Sequence, residues 1–280
     1  MRAAALIALL LVFASAATAS PRTPRVPAFS HVVVIMFENK DRGTVIGARD
    51  APTFNAMGRR YAQLTRYYGV THPSLPNYLA LISGSTQGVA SDCTTCSFDA
   101  KTLATTLPEA GRTWKLYAEG LPRPGFAGAS YGRYAKKHAP FLYFRGVDTR
   151  RVVPLTQLRL DLAHAVLPSY AMIVPNLCNS MHDCSVRTGD AWLRRQLPPL
   201  LKLPNTVVFV LFDEGTYGSD DSGGHVPALA LGTAVRPHSA YTHAATHYGL
   251  LRTIEDAWGL PRLGRTETAT PITGIWRDAP

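Results

Sequence analysis

The chain has 280 residues, of which 46% are hydrophobic and 17% charged, with 22 glycines and 21 prolines. This composition supplies enough apolar material for a full core, and it excludes a disordered chain, a collagen-like repeat and a small disulfide-held scaffold. The formal net charge of +10 favours binding to anionic substrates, nucleic acid or acidic membrane surfaces. Charge alone does not choose among these partners.

The first 19 residues have the pattern of a secretory signal peptide. Arg2 precedes an apolar stretch over residues 3–13, and a run of small residues then ends at Ala19, after which we expect cleavage. The apolar stretch is shorter than the roughly 20 residues that a membrane-spanning helix requires. We therefore expect a secreted or periplasmic protein without a stable membrane anchor, in which residues 20–280 form a single domain.

Four cysteines in an exported chain suggest two disulfide bonds. Cys93 with Cys96, and Cys178 with Cys184, are local pairs, although four cysteines allow three connectivities. The flanks of the first pair are polar and loop-like, which disfavours a thioredoxin-like redox motif. A zinc site is also disfavoured, because His182 lies within the second pair but no ligand lies beside the first. Structural disulfides are the favoured interpretation.

Apolar runs typical of strands buried on both faces alternate with amphipathic helical patterns along the chain. The predicted strands cover residues 31–37, 170–174, 206–212 and 226–231. The predicted helices cover residues 53–67, 75–83, 102–110, 189–203 and 240–258. This alternation predicts an α/β fold with helices around a mostly parallel sheet. Residues 121–154, rich in Gly, Pro, Tyr and Arg, predict a long loop over the edge of the sheet that shapes a site.

Polar side chains follow three of the predicted strands. Glu38 and Asn39 come directly after the first strand, Asn176 follows the second, and Asp213 and Glu214 follow the third. In open α/β sheets, ligands bind beyond the carboxyl ends of the strands, and carboxylate and amide oxygens suit hard divalent cations. Such residues also form turns and helix caps. The two adjacent acid-bearing pairs favour a metal site over this alternative.

A second candidate site lies at Ser74, just before a predicted helix that has Pro76 in its first turn. Serine is a favoured helix cap, and capping alone would explain this residue. The unpaired N–H groups and the dipole of a helix N-terminus also attract phosphate, which a serine placed there can attack. The amide of Asn77, one turn along, can be directed at the same oxygens.

The run from His72 to Gly84, HPSLPNYLALISG, resembles the nucleophile helix of the alkaline phosphatase superfamily. The whole chain resembles one branch of it, the bacterial phosphoesterase family of secreted acid phosphatases and non-haemolytic-type phospholipases C. The matching segments are residues 31–39, 72–84, 137–141, 175–192, 212–215 and 223–227. The ordered set is more specific than any single segment. The resemblance implies an alkaline-phosphatase-like α/β/α sandwich around a mostly parallel sheet.

The resemblance also implies a role for each matching residue. The residues that would hold a single divalent metal ion, with Ca, Mg, Mn and Zn as candidates, are Glu38, Asn39, Asp213 and Glu214. Ser74 would complete the ligand set while it attacks phosphorus, forming a phosphoserine that water hydrolyses. The residues that would surround the phosphoryl oxygens are Asn77, His138, His182 and His225. A protonated histidine among them would favour an acidic optimum.

We therefore expect a secreted, metal-dependent acid phosphatase that acts on a phosphorylated small molecule or a phospholipid headgroup. A phosphodiesterase of the phospholipase C type would use the same centre but would need room for a second ester substituent. The alternative of another class is an exported, non-catalytic protein that binds anionic surfaces. On that hypothesis we expect salt-sensitive adhesion and no role for Ser74.

The sequence carries no basic stripe with interleaved aromatics that would indicate a nucleic-acid partner. Other charged and titratable residues receive simpler interpretations. The histidines interpreted as surface or packing residues are His164, His238, His243 and His247. Lys136 and Lys137 are interpreted as solvated charge. The oligomeric state is not readable from these patterns.

Overall fold

The computed structural model describes residues 26–216 and 222–277. The predicted signal peptide and its cleavage site lie outside these residues. Among the helices that are described, none is long and apolar enough to cross a membrane.

The structure has short and long strands interspersed with helices. The strands are β1 (His31–Phe37), β2 (Ala62–Leu64), β3 (Tyr67–Tyr68), β4 (Trp114–Ala118), β5 (Ser130–Tyr131), β6 (Tyr134–Ala135), β7 (Val152–Pro154), β8 (Tyr170–Val174), β9 (Thr206–Phe212), β10 (Ala228–Leu231), β11 (Ser239–Tyr241) and β12 (Ala245–Thr246). The α-helices are α1 (Arg42–Val45), α2 (Pro52–Arg60), α3 (Ser74–Ser83), α4 (Leu103–Glu109), α5 (Thr156–Ala163), α6 (Val186–Leu200) and α7 (His247–Trp258). The 3-10 helices are Lys136–His138, Pro140–Tyr143, Thr149–Arg151 and Gly264–Glu267.

Eight strands form one central sheet in the order β11-β2-β10-β9-β1-β8-β4-β7. β10 runs antiparallel to both of its neighbours, and all the other strand pairs in this sheet are parallel. The helices pack in two groups: α3 contacts α4 and α7, whereas α2 contacts α6. The predicted α/β fold with a mostly parallel sheet is confirmed.

The centre of the sheet explains the continuous apolar runs. β1 lies between β8 and β9, and all seven residues of β9 are buried. Strands covered on both faces need apolar side chains at every position, which is why they were readable from the sequence. Phe37 pairs in register with Phe212, so the next residue of each strand, Glu38 and Asp213, emerges at the same edge of the sheet.

Two predicted helices are partly wrong. The helix expected over residues 53–67 ends at Arg60, and the chain then forms the short strands β2 and β3. The helix expected over residues 240–258 begins at His247, after β11 and β12. Strands of two or three residues are too short to show a period of two, so their pairing with distant strands decides their conformation.

Residues 121–154 form more than the loop that was expected. They contain the β5–β6 hairpin, three of the 3-10 helices and the edge strand β7. The backbone N–H of Leu177 donates to the carbonyl of Arg133, which joins the hairpin to the segment after β8. The four cysteines pair locally, as Cys93–Cys96 and Cys178–Cys184, one of the three connectivities that the sequence left open.

Candidate active site

The ends of β1 and β9 bring two carboxylates together in the interior. Glu38 and Asp213 are both fully buried. Asp213 Oδ1 accepts hydrogen bonds from the backbone N–H groups of Asn39, at 3.1 Å, and of Glu214, at 2.7 Å. These bonds fix the Asp213 carboxylate across the two strand ends.

Helix α3 delivers Ser74 to these acids. Pro73 occupies the cap position, so Ser74 is the first helical residue rather than the cap that the sequence predicted. The serine is 1% exposed, and its Oγ lies 3.2 Å from Glu38 Oε2 and 3.2 Å from Glu214 Oε1. The hydroxyl can therefore donate to either carboxylate, and each acid is close enough to accept its proton.

Further side chains orient the two acids that flank Ser74. The Tyr78 hydroxyl donates to Glu38 Oε1, and a ring nitrogen of His72, Nδ1, is hydrogen-bonded to Glu214 Oε2. The ring of Tyr78 also stacks on His138, with centroids 5.2 Å apart. Glu38 is thus held by a residue of α3, and Glu214 by a residue just before that helix.

Burial makes this group of acids hard to ionise together. Burial raises the pKa of Glu38, and burial together with the negative charge of Glu38 raises that of Asp213. Burial and the charge of Asp213 raise the pKa of Glu214 to about 8. Buried like charges of this kind favour either bound protons or a bound cation.

The donor chemistry of this cluster suits a hard divalent cation. Asn39 Oδ1 and Asp213 Oδ2 are buried and have no hydrogen-bond partner among the described residues. With the oxygens of Glu38, Glu214 and Ser74, they give a donor set made only of oxygen. Within residues 26–216 and 222–277, however, no group of three or more acidic, histidine or cysteine side chains already has an arrangement that could hold a metal ion. The residues fit a cation chemically, whereas a finished ligand geometry is absent from the described part of the chain.

His138 and His182 lie on the same side of the cluster. His138 Nε2 is 3.2 Å from Glu38 Oε2 but forms no hydrogen bond with a described residue. Burial, with the nearby charge of Lys137 adding to it, lowers the pKa of His138 to about 3, so this ring is neutral. The His182 ring centroid is 6.1 Å from that of His138, and its Nδ1 is 2.7 Å from Asp183 Oδ1.

Asn77 has a different environment from the one expected. Its Oδ1 accepts from the N–H groups of Val70 and Thr71, and its Nδ2 donates to the carbonyls of Thr71 and Pro73. The loop before α3 therefore occupies this amide, which departs from the expected contact with phosphoryl oxygens. The physical reason is that the loop turns back over the first turn of α3, where its backbone groups need partners.

His225 also departs from expectation. It is exposed, its Nε2 donates to the Thr65 carbonyl at 2.9 Å, and its ring stacks on Tyr68 with centroids 5.0 Å apart. An isolated bridge between Tyr68 and His225 explains this placement, because it aligns the histidine with β3. Within the described residues the ring contacts Thr65 and Tyr68, and not Ser74 or the acids.

Sequence reasoning missed three residues that support the site. His247, interpreted as a surface or packing residue, is fully buried and donates from Nε2 to the Asp213 carbonyl at 2.7 Å. Burial lowers its pKa to about 4, so the ring is neutral. His72 and Tyr78 were inside the quoted motif without a role. Tyr78 lies four residues after Ser74, a spacing that places both on one face of a helix and could have identified it.

Comparisons with known proteins identify the family of this chain. The model of the Phosphoesterase family matches residues 46–261. The chain belongs to this family. It is 36% identical over 258 residues to a phosphatidylinositol-3-phosphatase of Mycobacterium tuberculosis, an alignment that covers 90% of this chain and 84% of the relative. It is 34% identical over 236 residues to an acid phosphatase of Aspergillus fumigatus, covering 76% of this chain but 52% of that protein, so it spans about half the length of the fungal relative.

Solved structures place this Phosphoesterase family member in a wider fold group. A protein in the alkaline phosphatase superfamily from Vibrio parahaemolyticus matches with a TM-score of 0.62 at 16% identity, covering 88% of this chain and 71% of that one. Murine ectonucleotide pyrophosphatase / phosphodiesterase 5 matches with a TM-score of 0.57 at 12% identity, covering 84% and 97%. The likeness shows the fold, and the predicted resemblance to the alkaline phosphatase superfamily is confirmed.

Proposed function

We propose that this chain is a secreted, metal-dependent acid phosphatase that hydrolyses phosphate monoesters through a phosphoenzyme on Ser74. The observation that carries the proposal is the position of Ser74 Oγ, buried at the start of α3 and 3.2 Å from an oxygen of both Glu38 and Glu214. A serine becomes a nucleophile where neighbouring groups take its proton and a helix N-terminus faces the developing charge. The relatives named as acid phosphatases support the reaction class.

The cation would be held by the buried oxygen ligands that follow β1 and β9, which are Glu38, Asn39, Asp213 and Glu214. When bound, such a cation lowers the pKa of a hydroxyl and offsets phosphate charge. His72 keeps Glu214 turned towards Ser74, and Tyr78 keeps Glu38 turned towards it. The supporting residues therefore fix both acids before substrate arrives.

Bond changes in the proposed reaction involve Ser74 directly. Its Oγ forms a bond to phosphorus as the ester oxygen of the leaving alcohol departs, and the hydroxyl proton passes to a flanking carboxylate oxygen of Glu38 or Glu214. We propose that His182, whose side chain is 26% exposed and whose ring centroid is 6.1 Å from that of His138, donates the proton that the leaving alcohol needs. A water oxygen then forms a bond to phosphorus as the bond to Ser74 Oγ breaks. The carboxylic acid returns its proton to Ser74, a proton of the water passes to the deprotonated histidine, and phosphate leaves.

The monoester reading is preferred to the phosphodiesterase alternative because of the β5–β6 hairpin. The bond from Leu177 N–H to the Arg133 carbonyl ties the hairpin to the loop that carries His182. We infer that the tethered hairpin limits the room for a second ester substituent beside the histidine. A phosphoinositide monoester is the first natural substrate to test, since the mycobacterial relative is named a phosphatidylinositol-3-phosphatase.

Export is part of the proposal. The sequence of residues 1–19 has signal-peptide character, and two disulfides join the four cysteines. Disulfides persist mainly in oxidising compartments, so they support a secreted or periplasmic location.

The test is a substrate panel with protein that lacks only residues 1–19. An aryl phosphate monoester, its methyl diester and vesicles that contain phosphatidylinositol 3-phosphate are assayed from pH 4 to 9, with and without chelator. Monoester turnover with an optimum below pH 7 that the chelator removes is the expected result. Faster diester turnover would favour the phospholipase C type, and an optimum near pH 9 would contradict the acid phosphatase assignment.

A further inference from the structure

Lys137 lies at the edge of the candidate site, although the sequence suggested solvated charge. It belongs to the 3-10 helix Lys136–His138, directly before His138, and its side chain is only 17% exposed. Its Nζ is 2.7 Å from Asp92 Oδ2 and 3.5 Å from His182 Nε2. The ammonium group therefore lies between an acid of the disulfide loop and the histidine proposed to serve the leaving group.

Asp92 connects this lysine to the nucleophile helix. It lies directly before the loop closed by the Cys93–Cys96 disulfide, and its Oδ1 accepts a hydrogen bond from the Leu75 N–H at 3.0 Å. Pro73, the cap residue of α3, makes no side-chain capping bond, so Asp92 supplies a cap from a distant segment. One carboxylate thus fixes Lys137 next to the residue that follows Ser74.

The Lys137 ammonium retains donor capacity towards the site. An ammonium group has three N–H donors, of which Asp92 takes one and the 3.5 Å contact with His182 Nε2 takes a second, so one remains. Because Asp92 already accepts the Leu75 N–H, that amide is not available to an anion beside Ser74. His138 Nε2, on the residue next to Lys137, is buried without a hydrogen-bond partner among the described residues. Two groups on one 3-10 helix therefore face the site with unused hydrogen-bonding capacity.

We propose that Lys137 binds a phosphoryl oxygen of the substrate and favours dianionic phosphate monoesters over monoanionic diesters, with Asp92 as its positioning residue. This inference rests on the proposed function. A monoester carries one more negative charge than its diester near neutral pH, so an extra fixed cation stabilises the monoester more. Lys137 would thus determine specificity, in addition to the acids and Ser74.

The experiment compares Lys137→Met and Lys137→Arg with the wild-type holoenzyme and with Lys101→Met. Lys101 is a matched control, because its ammonium group is 3.6 Å from Glu109 and both side chains are more than half exposed. The readouts are kcat/KM for the monoester and diester, the inhibition constant of inorganic phosphate, and phosphate binding by calorimetry. We expect Lys137→Met to lower monoester kcat/KM and phosphate affinity about 10- to 100-fold, the loss of one charge-assisted contact, with diester turnover changed far less.

Lys137→Arg should recover most of the loss, and Lys101→Met should stay within about twofold of wild type. Equal losses on both esters, or unchanged phosphate affinity in Lys137→Met, would overturn the role of Lys137. If diester turnover is too slow to measure, phosphate affinity decides alone. A wild-type protein that binds phosphate but does not turn over any ester would instead overturn the proposed function, so the two failures are distinguishable.

Asp92→Asn tests the positioning step. It removes the charge that holds Lys137 but keeps a side chain that can accept the Leu75 N–H bond. We expect the monoester-to-diester ratio to fall in the same direction as in Lys137→Met, by a smaller factor, with a near-wild-type thermal midpoint. A lower midpoint with an unchanged ratio would show that Asp92 acts only as a helix cap.

Discussion

The hydroxyl of Tyr78 donates to the carboxylate of Glu38, across the boundary between helix α3 and strand β1. Ser74, one turn earlier on the same helix, lies 3.2 Å from the other oxygen of that carboxylate. A single helix face therefore orients the acid and presents the proposed nucleophile to it. A shift of α3 relative to β1 would therefore disturb both contacts together.

Tyr78→Phe should lower kcat/KM for a phosphate monoester by about tenfold and weaken metal affinity by a similar factor, because Glu38 loses its oriented donor. Activity is measured as metal is titrated into chelator-treated protein. Tyr131→Phe is the control, since that side chain is 58% exposed on the β5–β6 hairpin. Identical metal titrations for Tyr78→Phe and wild type would show that this hydroxyl does not orient Glu38 for metal binding.

Asn77→Ala should destabilise the protein by about 3 kcal/mol, because several backbone groups of the loop before α3 lose their partner. Urea unfolding with linear extrapolation measures the change. Phosphate affinity of the folded fraction should stay close to that of wild type. Wild-type stability combined with weakened phosphate binding would instead return Asn77 to direct contact with substrate.

The pH dependence of stability should reveal the pair of partly exposed Lys115 and buried Asp161, whose atoms Nζ and Oδ2 are 2.5 Å apart. Burial opposes ionisation of Asp161, but hydrogen bonds from Lys115, Tyr117 and Gln157 outweigh it and lower its pKa. A carboxyl group whose pKa is lower in the folded state stabilises above the unfolded value of about 3.9, and loses that contribution as pH falls through the folded value.

Asp161→Asn should therefore reduce the free energy of unfolding by about 2 kcal/mol at pH 7, and the difference from wild type should narrow below about pH 4. Denaturant unfolding at several pH values measures this difference. A difference that stays constant from pH 7 down to about pH 3 would mean that the charge of Asp161 is not what stabilises β4 against α5.

Metal removal should abolish activity and lower the thermal midpoint together, because a ligand that binds only the folded state adds to its stability. The buried acids Glu38, Asp213 and Glu214 repel one another when no cation lies between them. Elemental analysis of active protein should give about one divalent ion per chain. Full activity in protein shown to be metal-free would contradict the proposed cation, and two tightly bound zinc ions would contradict the single site.

The parts of the molecule that were predictable from sequence are those fixed by local patterns. β1, β8 and β9 are buried on both faces, so their apolar runs identified them. The acids Glu38 and Asp213 directly follow β1 and β9, so they could be located once the strands were identified. Lys115 interrupts the apolar run of β4, and that strand was missed. Its ammonium group pairs with Asp161, a partner 46 residues away that no local pattern indicates.

The same limit applies to the site. Lys137 contacts Asp92 across 45 residues, and His247 contacts the Asp213 carbonyl across 34 residues. Lys137 begins a matching segment, but neither it nor His247 carries a local pattern that indicates its contact, so both contacts depend on tertiary packing. His225 shows the converse, because a motif match suggested a site residue whereas the bridge to Tyr68 directs its backbone elsewhere.

The central claim is that Ser74 carries the phosphoryl group during turnover. Wild-type protein is mixed with an aryl phosphate, quenched in acid within one turnover and digested, and the phosphorylated residue is identified by mass spectrometry. We predict one phosphoryl group on Ser74 in wild type, none in Ser74→Ala, and loss of hydrolysis in that variant without loss of the fold. Phosphate found on another residue, or a Ser74→Ala protein that keeps more than a small fraction of wild-type turnover, would contradict the account.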